Sequence, residues 1–187
     1  MTSEKRILFV ILGLLVIAGL WAWSGYNRFV TSNENVVGKW AQVETQYQRR
    51  ADLIPNLVNT VKGAAEFEQG TFIGVTEART KWLGAGGRGE QIEAAKGMDS
   101  ALARLLVTFE SYPELKATQA YQDLMAQLEG TENRVAVARK DFNEAVQSFN
   151  VMVKRFPSNM LAGMFGFGPQ DFFEADEGSE NAPTVEF

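Results

Sequence analysis

The sequence predicts an all-α fold, with an N-terminal single transmembrane helix followed by an antiparallel bundle of long helices. Three observations carry this. An uncharged apolar run near the start matches the thickness of a bilayer's hydrocarbon core. Downstream, apolar residues recur at spacings of three and four, the period of a helix with one buried face. The 187 residues, 45% hydrophobic and 22% charged, have the balance of one globular domain with appendages.

The first element spans residues 7–26, behind a short flank at 1–6. Ile7, Leu8, Phe9, Leu14 and Leu15 lie in its uncharged stretch, and Trp21, Trp23 and Tyr26 cluster where an interfacial aromatic belt would lie. At about 1.5 Å per residue, a helix of this length crosses roughly 30 Å. A cleaved secretory signal is the competing reading. Val16-Ile17-Ala18 is only a fair cleavage site and the run exceeds a usual signal core, so an uncleaved signal-anchor is expected. Lys5, Arg6 and the terminal amine precede the span closely, while Arg28 and Lys39 follow at greater distance. The positive-inside rule then gives a single-pass membrane protein with its N-terminus inside and its bulk outside the cytoplasm.

The bundle is expected over 27–156. Val36, Trp40, Val43, Tyr47, Ile54, Leu57 and Val61 form one stripe, and Pro55 predicts a kink or break between Asp52 and Asn56. Phe72, Val75, Arg79 and Trp82 continue as a second, weaker stripe up to the glycines at 84, 86, 87 and 89, which predict a turn. A third helix is expected from about Glu90, with Ile92, Ala95, Leu102, Leu105, Leu106, Phe109 and Tyr112 on one face.

Pro113 can end that helix or begin the next. From Glu114 the pattern predicts a helix of some forty residues. Its seam is Tyr121, Leu124, Leu128, Thr131, Val135, Ala138, Phe142, Ala145, Phe149, Met152 and Phe156, a coiled-coil-like heptad run. Such a helix needs long antiparallel partners to bury its stripe. Asn133, Asn143 and Asn150 along it are read as setting register through interhelical hydrogen bonds.

Composition excludes much chemistry. With no His and no Cys, the commonest general base, thiol nucleophiles, disulfides and the usual transition-metal ligands are missing. The net charge of −5 is concentrated in a tail, residues 157–187, with six acids and no base; residues 1–156 hold 18 bases against 17 acids. This leaves no broad positive surface, and nucleic-acid binding is disfavoured. Glu44, Asp52, Glu66, Glu68, Glu132 and Asp141 read as carboxylates of solvated helix faces. The glycine loop lacks the preceding strand and following Lys-Ser/Thr of a phosphate-binding loop. No catalytic, cofactor-binding or metal residue is assigned.

Two groups remain as candidates for self-association or partner binding. Arg49, Arg50 and Asp52 form the first; Arg50 falls near the apolar stripe and wants an ion-pair partner there. Phe165, Phe167, Phe172 and Phe173 form the second, apolar rings in a glycine-rich acidic tail that either fold back over the bundle or dock on an adjacent subunit.

Three stretches carry a resemblance. The first is Arg50-Ala51-Asp52-Leu53-Ile54-Pro55-Asn56-Leu57-Val58 with Val61-Lys62-Gly63. The second is Tyr112-Pro113-Glu114-Leu115-Lys116-Ala117 with Leu128-Glu129-Gly130-Thr131-Glu132-Asn133-Arg134 and Ala138-Arg139. The third is Phe142-Asn143 and Phe149-Asn150 before Arg155-Phe156-Pro157. In these the chain resembles the LemA family of bacterial proteins over nearly its whole length. Phe67 stands where many relatives have His, and Phe142 and Phe149 where Tyr is common, so no acid/base or metal role can be carried to position 67.

The resemblance implies a membrane-tethered helical bundle without established catalytic residues, with relatives linked to membrane organisation and, in magnetosome-forming bacteria, to membrane compartments. The expectation is a non-enzymatic scaffold that contacts the lipid bilayer, forms homo-oligomers and organises or shapes the membrane. Gly13 and Gly19 in the span add to that expectation. The alternative is a regulatory adaptor for a membrane-protein client or protease.

Overall fold

The computed structural model describes residues 3–61 and 69–174, all helical apart from short connections and a final stretch without regular structure. Six helices follow one another: α1 (Ser3–Val61), α2 (Gln69–Gly84), α3 (Arg88–Phe109), α4 (Pro113–Lys116), α5 (Gln119–Lys154) and α6 (Ser158–Phe165). They distribute over two compact units, Met1–Trp40 with Asp141–Phe172, and Ala41–Lys140 with Phe173–Phe187.

In the first unit, α1 begins with the apolar stretch, long enough to cross a membrane, and its large side chains from Ile7 to Trp23 stand exposed. The helix does not stop at residue 26. Three residues later Phe29 is buried edge-on against Phe149 of α5, and Trp40 meets Phe142 in the same way. As the α1 number rises the α5 number falls, so the two run antiparallel. Lys39 donates to Asp141 at 2.7 Å beside that seam.

In the second unit, Val43, Tyr47, Ala51, Ile54 and Leu57 of α1 bury the predicted stripe. Of the kink or break expected at Pro55, the break is corrected: α1 runs through it. Pro55 cannot donate to the carbonyl four residues earlier, that of Ala51, and Nε of Arg79 on α2 supplies the missing donor at 2.9 Å.

Helices α2 and α3 pack as a hairpin. Its turn is closed by Glu90, whose carboxylate accepts from the Gly86 amide at 2.9 Å, and by Gln91 N–H donating to the Gly87 carbonyl. The single forty-residue helix expected from Glu114 is also corrected. Pro113–Lys116 forms a separate turn, and Thr118 Oγ1 then accepts from the Tyr121 amide to cap α5. The α5 seam is buried from Leu124 to Phe149, but Phe156, placed on it by spacing, lies beyond the helix end and is exposed.

Candidate functional site

Two constructions stand out, one in each unit. In the second unit, Arg50 enters the apolar stripe of α1 because it lies three residues after Tyr47 and four before Ile54. It is only 6% exposed and donates through Nη1 to Asp99 Oδ1 of α3 at 2.6 Å and through Nη2 to Glu132 of α5. Asp99 also accepts from Tyr47 Oη at 2.9 Å and from Nη2 of Arg139. Arg139 in turn lies over the rings of Tyr47 and Phe173, its guanidinium carbon 4.3 Å from the Phe173 centroid.

Two arginines and two carboxylates therefore neutralise one another across three helices. Asp99, with its side chain 18% exposed, is the hub that accepts from both arginines. Among the described residues the cluster is an ion-pair network that fixes which faces of α1, α3 and α5 meet.

In the first unit the start of the tail, as far as Gln170, is fastened down. The side chain of Asn150 on α5 pairs with the Gln170 backbone in both directions: Nδ2 donates to its carbonyl at 2.8 Å, and Oδ1 accepts its amide at 2.7 Å. Gln170 Nε2 donates to Asn33 Oδ1 of α1 at 2.6 Å. Upstream, Gly166 ends α6 with φ of +76°, and the Phe167 amide reaches back to the Ala162 carbonyl. This turn brings Phe167 flat against Phe29, with ring centroids 5.0 Å apart, while Phe165 meets Tyr26 edge-on. Leu161 of α6 fills the space that a Cβ on Gly25 would take.

The sequence-named residues thus separate. Arg50 is buried in the ion-pair cluster, whereas Arg49 and Asp52 are exposed, Asp52 accepting a bond from Gln48. Phe167 packs on α1 and Phe173 on Arg139 and Tyr47, while Phe165 and Phe172 keep exposed faces. Asn150 pairs with the tail, Asn133 is exposed, Glu44 accepts from Gln91, and Glu66 and Glu68 lie outside the described residues.

Sequence reasoning missed Asp99 and the part played by Arg139. The signal was available: Asp99 falls four residues after Ala95 and three before Leu102, and Arg139 four after Val135 and three before Phe142. Among the described residues no three carboxylates converge as a cation site.

Known proteins give this architecture its context. The chain is 29% identical to magnetosome protein MamQ 2 of Paramagnetospirillum magneticum, over 80% of its own length and 64% of that relative's. Against magnetosome protein MamQ of Magnetospirillum gryphiswaldense the identity is also 29%, over 79% and 64%. It therefore spans a little under two thirds of these magnetosome proteins. With protein LemA of Metamycoplasma hominis it shares 21% identity over 94% of the chain and 82% of the relative. The model of the LemA family matches residues 39–187, which takes in the ion-pair cluster and the Asn150–Gln170 clasp. By that match, this chain is a member of the LemA family.

Proposed function

We propose that the protein is a membrane-anchored, non-enzymatic helical scaffold that associates with copies of itself and organises or shapes the bacterial membrane. The observation that supports this is the junction between span and bundle. Helix α1 leaves the apolar stretch without a linker, and Gly25, Tyr26 and Phe29 are already packed against α6, the tail and α5. A bundle joined this way passes its orientation to the span, which is what a scaffold imposing geometry on lipid requires; a flexible tether would not do so.

Surface for self-association is at hand in the same unit. Val37, Val151 and Phe172 are exposed, and Gly13 and Gly19 in the span have open space in front of them. The magnetosome relatives, named for a membrane compartment, favour the same role. Exposed Arg49 forms no ion pair among the described residues and favours a second reading, an adaptor whose α1 surface meets a client.

A photo-cross-linker placed at Val151 or Phe172 in native membranes separates the two. The scaffold gives mostly self-links and an oligomer after mild extraction. A monomer at micromolar concentration refutes it, and a dominant foreign adduct turns the reading to the adaptor.

A further inference from the structure

A pocket of about 480 Å³ opens in the first unit where the apolar stretch ends. Arg28 of α1 and Arg155 just past the end of α5 both line it, and Trp21 and Phe156 form apolar walls. Among the described residues neither arginine has a carboxylate partner, unlike Lys39, Arg50 and Arg139. Arg28 is the first charge after Arg6. The uncharged residues 7–27 between them span about 32 Å as a helix, so Arg28 stands at phosphate depth when the span crosses a bilayer.

The surroundings of the pocket are apolar on the side that would face lipid. Helix α6 is held at Gly25 through Leu161, one turn before Arg28. From Phe156 to Gln170 the chain carries no charge. Met160 and Met164, one turn apart on α6, are 63% and 64% exposed, and Phe156 just before the helix adds a third exposed apolar side chain at 74%. Such a row is costly to leave in water and fits the acyl–headgroup boundary beside the span.

We infer that Arg28 and Arg155 form a binding site for the phosphate of an anionic phospholipid. The guanidinium groups grip the phosphate, Trp21 and Phe156 flank the glycerol region, and the row along α6 lies in the interface. The site rests on the membrane-anchored reading and adds to it a lipid class and two named residues. It would hold the end of the span at a fixed depth.

The test uses the full-length chain in mixed phosphatidylcholine–phosphatidylglycerol bilayers, extracted with detergent, with retained lipids weighed by native mass spectrometry. Wild type is expected to keep phosphatidylglycerol over phosphatidylcholine. The pair Arg28→Gln/Arg155→Gln should lose that preference by about tenfold or more, since each basic group at the surface contributes roughly fivefold. The pair Arg28→Lys/Arg155→Lys, which keeps the charges, should retain most of it.

Equal retention of phosphatidylglycerol by wild type and the glutamine variant overturns the site. Displacement of the lipid by excess inorganic phosphate overturns the lipid assignment in favour of a free anion. Wild-type chain that fails to float with the vesicles overturns the membrane reading itself, a result distinct from loss of lipid selectivity.

Discussion

Arg79 Nε donates to the backbone carbonyl of Ala51 at 2.9 Å, and Ala51 is the residue whose helical partner Pro55 has removed. A side chain on α2 thereby replaces a main-chain donor missing from α1. A buried carbonyl without a partner costs about 1–3 kcal/mol, which is the scale on which this bond supports the unbroken helix.

The exchange can be tested as a cycle. Arg79→Met is expected to lower stability by about 1–2 kcal/mol in denaturant melts of the full chain. Adding Pro55→Ala restores an amide beneath Ala51, so the Arg79 substitution should cost measurably less in that background. Strictly additive effects would show that Arg79 acts elsewhere.

Asp99 holds Arg50 and Arg139 together with the Tyr47 hydroxyl. Asp99→Asn keeps the shape but leaves the buried Arg50 facing a second cation with one carboxylate fewer. A loss of about 3 kcal/mol is expected from the denaturation midpoint at unchanged slope. Glu132→Gln, at the more exposed end of the cluster, should cost about 1 kcal/mol or less. The reverse order would contradict Asp99 as the hub.

Asn150 gives the tail both a donor and an acceptor. Asn150→Asp keeps the acceptor for the Gln170 amide but turns the donor into a carboxylate oxygen facing the Gln170 carbonyl; one lost hydrogen bond and an unpaired carbonyl correspond to about tenfold or more in opening of this segment. Chymotryptic cleavage after Phe167, Phe172 or Phe173 should accelerate by that factor while cleavage elsewhere stays constant. An unaltered cleavage pattern would remove Asn150 from this role.

Tyr121 ionises above its ordinary value of 10.0, chiefly because of its burial and secondarily because of the nearby Glu110 carboxylate. As pH rises past 10 the unfolded chain loses this proton first. The contribution to stability is therefore full below the unfolded value and is lost as pH climbs through the folded one. Difference titration of wild type against Tyr121→Phe should isolate one late phenol, which shifts earlier in Glu110→Gln. A late-titrating absorbance unchanged in amplitude by Tyr121→Phe would reassign the effect.

The sequence by itself determined the helical class, the apolar span, the α2–α3 turn and the buried stripes, because these depend on period and run length along one chain. Val36 to Leu57 and Leu124 to Phe149 were readable as stripes, as was the need of Arg50 for a counter-charge. Which charge answered Arg50 was decided only when Asp99, 49 positions away, came beside it. Pro55 shows the same limit: local rules predicted a kink or a break, and the helix runs on with a donor 28 positions from Ala51 in place of the missing amide. Whether the start of the glycine-rich tail folds back or docks elsewhere was open in the sequence, and Asn150 and Gly166 gave it backbone partners and a turn. Helix period is a short-range property that one chain displays directly, whereas the satisfaction of buried polar groups is settled between segments, by whichever side chain the packing delivers.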